Sequence, residues 1–121
     1  MAAKFDAATL DFLRSAQEVG IRTGKRADRA VIIWAVVVGD AAFVRSVRGP
    51  TGKWYKAAAA DGRATLQIND KLVPVRAIAI ADAPTIAAVS AEYLSKYAAS
   101  PYAQAMVKPD TLPTTLRLDP V

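Results

Sequence analysis

The chain has 121 residues and a net charge of +5, and it contains neither cysteine nor histidine. Without cysteine it has no disulfide or thiolate chemistry, and without histidine it lacks the commonest metal ligand and general base. Composition therefore argues against a hydrolytic triad or a zinc site, and we expect no metal. The 53% apolar fraction is enough for a core, and the length predicts one domain over residues 1–121.

The positive charge is concentrated in one part of the chain. Half of the 16 basic residues lie between Arg22 and Lys56, where the acids are Asp28 and Asp40. Such a local excess indicates an anion site rather than general solubility. No apolar run reaches about 18 residues without a charge, so we expect a cytoplasmic protein that does not associate with a membrane.

The first predicted element is a helix over residues 5–19, with Asp6 as its N-cap and Gly20 as its C-terminal stop. Barrel strands are predicted between about residues 20 and 81. The first of them ends near Thr23, and a basic turn follows it. We weigh two roles for this turn equally, a solvated hairpin loop and an anion-binding loop beside a rigid sheet.

The longest apolar run, residues 30–38, predicts a strand that is covered on both faces. A two-residue Gly-Asp turn joins it to a partner strand over residues 41–48. Alternation along the partner strand places Arg45 on one face and Ser46 and Arg48 on the other. Because a buried, unpaired guanidinium is costly, Arg45 is expected to have a carboxylate or phosphate partner.

A break that begins at Gly49 leads from this strand into a short helix. We expect Thr51 to cap the helix and leave backbone N–H groups free for an anion, with Arg48 and Lys53 beside it. Trp54 has two interpretations, because its ring can stack on a ligand or fill the core. The junction therefore combines backbone freedom, positive charge and a flat ring surface.

The rest of the chain predicts a hairpin, a long helix and a terminal strand. The hairpin covers residues 63–81, and Asp82 caps a helix over residues 83–97. The last strand covers residues 114–118. Short antiparallel connections and a returning terminal strand favour a mainly β, α+β fold, a small antiparallel β-barrel that is closed or half-closed.

Three motifs carry a family resemblance: Thr23-Gly-Lys-Arg-Ala-Asp-Arg29, Arg45-Ser-Val-Arg-Gly-Pro-Thr-Gly-Lys-Trp-Tyr55 and Leu116-Arg-Leu-Asp-Pro120. Their arrangement resembles the flavin-binding split-barrel superfamily, which includes pyridoxamine phosphate oxidases, flavin reductases and deazaflavin-dependent nitroreductases. It is most similar to the nitroreductase-like branch. The R-S-x-R-G-x-x-G-x-W-Y run also resembles small uncharacterised bacterial proteins of this superfamily.

The resemblance implies a split β-barrel, commonly a homodimer with the cofactor at the subunit interface, that binds FMN or a deazaflavin and transfers hydride to an unknown small-molecule acceptor. The apolar run at residues 30–38 would suit either a covered barrel wall or such an interface. The residues implied to bind the cofactor are Lys25, Arg26, Arg45, Ser46, Arg48, Gly49, Lys53 and Trp54. Because the cofactor itself supplies the hydride chemistry, the missing histidine is no objection. No catalytic residue is identified, although Tyr55 and Tyr97 are candidate proton donors.

Two other functions stay open. A split-barrel protein without catalysis would bind a small anionic ligand or store flavin, and it would show binding without turnover. A nucleic-acid-binding barrel is compatible with the pI near 9.7. Against it, the few aromatic residues do not alternate with basic residues along a strand face, as stacking platforms for bases require.

Overall fold

A computed structural model describes residues 4–24 and 28–121 of the chain. The described residues form three α-helices: α1 (Ala7–Ser15), α2 (Lys53–Asp61) and α3 (Ala83–Lys96). They also form the strands β1 (Val19–Arg22), β2 (Val31–Ile33), β3 (Ala35–Val38), β4 (Ala41–Val44), β5 (Arg63–Ile68), β6 (Lys71–Ala79) and β7 (Leu116–Pro120). Short 3-10 turns cover Gly49–Thr51, Ala103–Val107 and Leu112–Thr114. No helix in the described ranges is long and apolar enough to cross a membrane.

The strands join into one antiparallel sheet in the order β2-β1-β5-β6-β7-β4-β3. Its edge strands, β2 and β3, are consecutive in sequence and are separated by Trp34. One segment therefore pairs with β1 at its start and with β4 at its end, which brings the two edges of the sheet together. The sheet forms a nearly closed barrel, and the predicted α+β fold with a small antiparallel barrel is confirmed.

Side chains of the barrel wall alternate between two cores. Ala35, Val37 and Val44 belong to the core inside the barrel, to which every described strand contributes. Val36 and Phe43 point the other way and pack with the buried face of α3. Strands β3 and β4 are thus covered on both faces, as a continuous apolar strand predicts.

The N-terminal helix is shorter than predicted. Its N-cap is confirmed, because the Asp6 carboxylate accepts a hydrogen bond from the Thr9 backbone N–H at 2.8 Å. The helix ends at Ser15, however, and Gly20 lies inside β1 instead of stopping the helix. A Cβ at Gly20 would lie 2.9 Å from that of Ala30, so the glycine permits close packing of two backbone segments.

The apolar run at residues 30–38 also differs from its prediction. It is broken at Trp34, and Val31 and Ile32 are exposed, so only its second half is covered on both faces. At the C-terminus, β7 begins at Leu116 and not at residue 114, because the preceding residues close a 3-10 turn. The cap at Asp82 is confirmed, and its carboxylate accepts from the backbone of α3 at 3.0 Å.

Candidate ligand pocket

A pocket of about 500 Å³ opens beside the break in the apolar run. Its walls come from β2, from the junction between β4 and α2, and from the 3-10 turn at Ala103–Val107. The apolar side chains that line it include Val31, Ile32, Trp34, Val47, Tyr102 and Met106. Its volume lies within the range of about 300–1,000 Å³ that is common for small-molecule sites.

The apolar wall of the pocket is unusually accessible. Ile32 is 60% exposed and Tyr102 is 71% exposed, and Val31 and Val47 are also exposed. Isolated exposed apolar residues are common, whereas a contiguous group around a cavity marks a surface that binds something. The exposed apolar residues of this protein therefore include a group that lines the pocket, in addition to scattered positions.

Arg45 forms part of the pocket lining but is only 1% exposed. Its Nε donates to Thr115 Oγ1 at 2.8 Å, and its Nη1 donates to Ser90 Oγ at 2.9 Å and to the Met106 carbonyl at 3.0 Å. Its Nη2 donates to the Ile86 carbonyl at 2.9 Å. Neutral oxygens satisfy the guanidinium, so the predicted carboxylate partner is wrong, and a phosphate partner stays a prediction.

The charge of Arg45 has no opposite charge beside it. No carboxylate in residues 4–24 or 28–121 forms an ion pair with it, although three ion pairs occur elsewhere in those ranges. Burial lowers the pKa of Arg45, and the Tyr93 ring lies 5.7 Å from its Cζ. Because burial also raises the pKa of Tyr93, its phenol stays neutral and does not cancel the cation.

The junction after β4 is held by Ser46 and Gly52. Ser46 is buried, and its backbone N–H donates to Thr114 Oγ1 at 3.0 Å. A Cβ at Gly52 would lie 2.2 Å from Ser46 Oγ, so only glycine fits there without displacement. Gly52 is also the N-cap of α2, and the predicted cap at Thr51 is wrong because its hydroxyl donates to the Arg48 carbonyl instead.

Two exposed cationic side chains contribute to the pocket lining. Arg48 and Lys53 are exposed side chains of the lining, on the two sides of the tight junction. The N-cap of α2 makes no side-chain hydrogen bond, so no cap side chain occupies the first N–H groups of the helix. These groups and the two cations form a polar rim around an apolar floor.

The structure brings together five of the residues predicted to bind a cofactor: Arg45, Ser46, Arg48, Lys53 and Trp54. Gly49 is not among the lining residues. It has a φ of +69°, and a Cβ there would lie 3.2 Å from the Asp110 carbonyl oxygen, which accounts for glycine structurally. Lys25 and Arg26 lie outside the described residues. Binding of a cofactor by any of these residues stays a prediction.

The two candidate proton donors do not line the pocket. The Tyr55 hydroxyl faces the Pro113 carbonyl at 3.5 Å. Tyr97 is buried, and its hydroxyl donates to the Gln17 carbonyl at 2.8 Å. Its burial also raises its pKa, which favours a structural role. Trp54 packs against the interior core, as one of its two interpretations predicts, and it also lines the pocket, where stacking on a ligand stays a prediction.

Several lining residues were missed by sequence reasoning. Val31, Ile32 and Trp34 were assigned to a covered strand, and Tyr102 and Met106 were given no role. Trp34 is held by a parallel stack on Tyr97, with ring centroids 3.9 Å apart. No sequence signal separated Val31 and Ile32 from the covered residues, because they have the same β-branched character.

Comparisons place the chain among known proteins by family and by fold. A family model described as "Uncharacterized protein conserved in bacteria (DUF2255)" matches residues 9–118. The structure of the conserved hypothetical protein Rv2991 from Mycobacterium tuberculosis is similar, with a TM-score of 0.64 and 14% identity over 99% of this chain and 81% of that chain. A putative pyridoxamine 5'-phosphate oxidase from Listeria innocua has a TM-score of 0.59 and 10% identity over 94% of this chain and 90% of that chain. No curated protein matches the sequence. These similarities support a split-barrel fold.

Proposed function

This chain belongs to the bacterial DUF2255 family, and we propose that it binds a flavin-type cofactor, FMN or a deazaflavin, in the pocket between β2 and α2. One observation carries the proposal: an apolar, partly aromatic floor and a cationic rim lie in a single pocket of about 500 Å³. The fold supports it, because one structural neighbour is described as a putative pyridoxamine 5'-phosphate oxidase.

The residues present fit the two parts of such a cofactor. Ile32, Trp34 and Met106 offer apolar and aromatic surface to a ring system. Arg48 and Lys53 offer a guanidinium and an ammonium to a phosphate, beside the first N–H groups of α2. Arg45 is not a direct phosphate ligand in this proposal, because its donors already bond to protein oxygens.

The proposed activity is hydride transfer to a small-molecule acceptor, of the nitroreductase-like kind. When bound, the cofactor supplies the hydride chemistry. The chain supplies binding and orientation through the cationic rim, and its apolar walls offer packing surface to the ring. The exposed edge strand β2, with Val31 and Ile32, supports the further proposal that two copies of the chain form a homodimer at this pocket.

A non-catalytic role is the second candidate, and the pocket lining favours it. The ionisable side chains among the described lining residues are Arg45, Arg48, Lys53 and Tyr102, so no carboxylate is available there as a general base. Such a protein would bind flavin or another small anion without turnover. Oxidation of reduced nicotinamide or reduced deazaflavin by the loaded protein decides between the two roles.

Titration with FMN and riboflavin tests the cofactor and its orientation together. We expect FMN to bind with a dissociation constant below about 100 μM. Lys53→Gln should lower the affinity for FMN by about five- to tenfold and leave the affinity for riboflavin unchanged. Lys56→Gln is the matched control, because Lys56 is an exposed lysine of the same helix that does not line the pocket. No binding of FMN or a deazaflavin at about 100 μM refutes the proposal.

A further inference from the structure

We propose that the buried positive charge of Arg45 makes the pocket select anionic ligands. The guanidinium donates its hydrogen bonds to the protein, but its charge still attracts an anion in the pocket. The inference rests on the proposed pocket but not on the ligand being a flavin. It assigns a ligand class: an aromatic or apolar body that carries a phosphate, sulfonate or carboxylate. It also separates Arg45 from the exposed cations that contact such a group directly.

The first step is that the charge of Arg45 is satisfied but not neutralised. Hydroxyl and carbonyl oxygens from Thr115, Ser90, Met106 and Ile86 accept its N–H groups. These neutral acceptors offset part of the desolvation cost and fix the guanidinium in place. They leave a full positive charge, since no carboxylate of the described chain pairs with it.

The second step is that this charge is poorly screened. Arg45 is 1% exposed and lines the pocket beside apolar side chains such as Met106 and Trp34. A charge in such surroundings acts through a lower effective dielectric than a surface charge, and salt weakens it less. Arg48 and Lys53 are exposed, so salt screens their contribution. An anion bound in the pocket is therefore stabilised by two separable sources.

Ser90 offers a way to cancel the buried charge without removing Arg45. Its hydroxyl lies 2.9 Å from Nη1 of Arg45, and it is half-buried on α3, outside the pocket lining. Ser90→Asp places a carboxylate beside the guanidinium, while Ser90→Asn introduces a side chain of the same size without charge. The pair therefore separates an effect of charge from an effect of shape.

Two dyes provide probes that do not depend on flavin binding. 8-Anilinonaphthalene-1-sulfonate carries a sulfonate, and N-phenyl-1-naphthylamine has a similar aromatic body without one. We expect the wild-type protein to bind the sulfonate dye more tightly than the uncharged dye. The affinity of Ser90→Asp for the sulfonate dye should be about tenfold lower than that of Ser90→Asn. The uncharged dye should bind both variants equally. The difference should persist at 0.5 M salt, where the contribution of exposed cations is largely screened.

A second variant keeps the test decisive if Ser90→Asp does not fold. Arg48→Gln/Lys53→Gln removes both exposed cations from the rim and leaves the packing around Arg45 intact. This double variant should retain a preference for the sulfonate dye of several-fold, and that preference should depend little on salt. Thermal unfolding of each variant shows that binding is compared between folded proteins.

Several results would overturn the inference. Failure of the sulfonate dye to bind the wild-type protein would do so, as would equal binding of that dye to Ser90→Asp and Ser90→Asn. If Ser90→Asp loses affinity for both dyes equally, the substitution has changed the shape of the pocket and not only its charge. If the Arg48→Gln/Lys53→Gln variant shows no preference for the sulfonate dye, the selectivity comes from the rim. If FMN does not bind but the dyes behave as expected, the flavin proposal fails while this inference stands.

Discussion

The two halves of the apolar segment at residues 31–38 differ in what covers them. Val36 and Val37 are buried between the barrel interior on one face and α3 on the other. Val31 and Ile32 have a similar β-branched character but lie exposed beside the pocket. An apolar run thus indicates a surface that is buried in the functional state. It does not indicate whether the same chain, a ligand or a second copy of the chain buries it.

Trp34 marks the boundary between these halves. The Tyr93 hydroxyl donates to the Trp34 carbonyl at 2.7 Å, and the Tyr97 ring stacks on the Trp34 ring. Both tyrosines lie on or directly after α3, so the helix fixes the point at which the segment leaves β1 and joins β4. The helix covers β3 but contributes no residue to the pocket lining.

The largest expected effect distinguishes the covered half of the segment, with Val36 and Val37, from its open half, with Val31 and Ile32. Phe43→Ala should lower the free energy of unfolding by about 3–5 kcal/mol, because it empties space between β4 and α3. Ile32→Ala should change that free energy by less than about 0.5 kcal/mol, because its side chain is mostly exposed. Urea unfolding followed by circular dichroism measures both variants.

The outcome for Ile32→Ala also tests what covers the open half. A large loss that grows with protein concentration would show that a second copy of the chain buries this side chain. A large loss at every concentration would break the comparison, because Ile32 would then belong to the fold of one chain. A small loss with weaker binding of FMN would place its contribution in the ligand site.

Local features of the fold were predictable because short-range chemistry determines them. The alternation of Arg63–Ile68 predicts β5 with its observed bounds, and the caps at Asp6 and Asp82 follow from side-chain hydrogen bonds within one helical turn. Gly20 was misassigned because its neighbour is Ala30 of an adjacent segment. The break at Trp34 was missed because α3, far along the chain, fixes it.

The candidate site divides in the same way. The partner strand was predicted over residues 41–48, but β4 ends at Val44, so Arg45 and Ser46 lie beyond it and both line the pocket. Local composition did place Arg48 and Lys53 at one junction. The acceptors for Arg45 were not predictable, since they lie 41–70 residues away in sequence. Carbonyl oxygens belong to every residue type, so no sequence pattern marks the ones that will satisfy a buried guanidinium.

The second prediction concerns the junction between β4 and α2, which lines the pocket together with the open half of the apolar segment. Gly52→Ala should cost about 1–3 kcal/mol of stability and weaken FMN binding, because the added Cβ would meet Ser46 Oγ at 2.2 Å. The backbone itself accepts alanine, since the φ of Gly52 is −58°. Urea unfolding and FMN titration measure the two effects, and both should follow from displacement of the start of α2.

A double variant tests the cause of that loss. Ser46→Ala removes the clashing oxygen, and the Cβ of residue 46 lies 3.4 Å from the added atom, a tolerable contact. Ser46→Ala/Gly52→Ala should therefore be more stable than Gly52→Ala alone, and the double-mutant cycle gives the coupling between the positions. Additive losses would show that the junction relaxes and that its packing does not position α2.

The smallest predicted effect is a pH dependence in the covered half. Lys96 Nζ donates to the Leu13 carbonyl at 2.7 Å and the Ala35 carbonyl at 2.5 Å, and burial lowers the pKa of Lys96 to about 8. An unfolded lysine titrates near 10.4, so the unfolded chain binds more protons than the folded chain between about pH 8 and pH 10.4. Stability should rise with pH across this window, by about 1 kcal/mol after allowance for the partial exposure of the side chain.

Urea unfolding at intervals from pH 7 to pH 10 measures this rise. Lys96→Met should flatten it, while Lys56→Met removes the same charge from an exposed position of α2 and should leave the rise in place. Above about pH 10 the trend should reverse, because burial raises the pKa of Tyr93 and Tyr97 and only the unfolded tyrosines then ionise. An unchanged rise in Lys96→Met would remove Lys96 as its source. If stability no longer rises with pH in Lys96→Met, the buried charge of Lys96 beside the covered half lowers stability by a measurable amount. Arg45 is the corresponding buried charge beside the pocket.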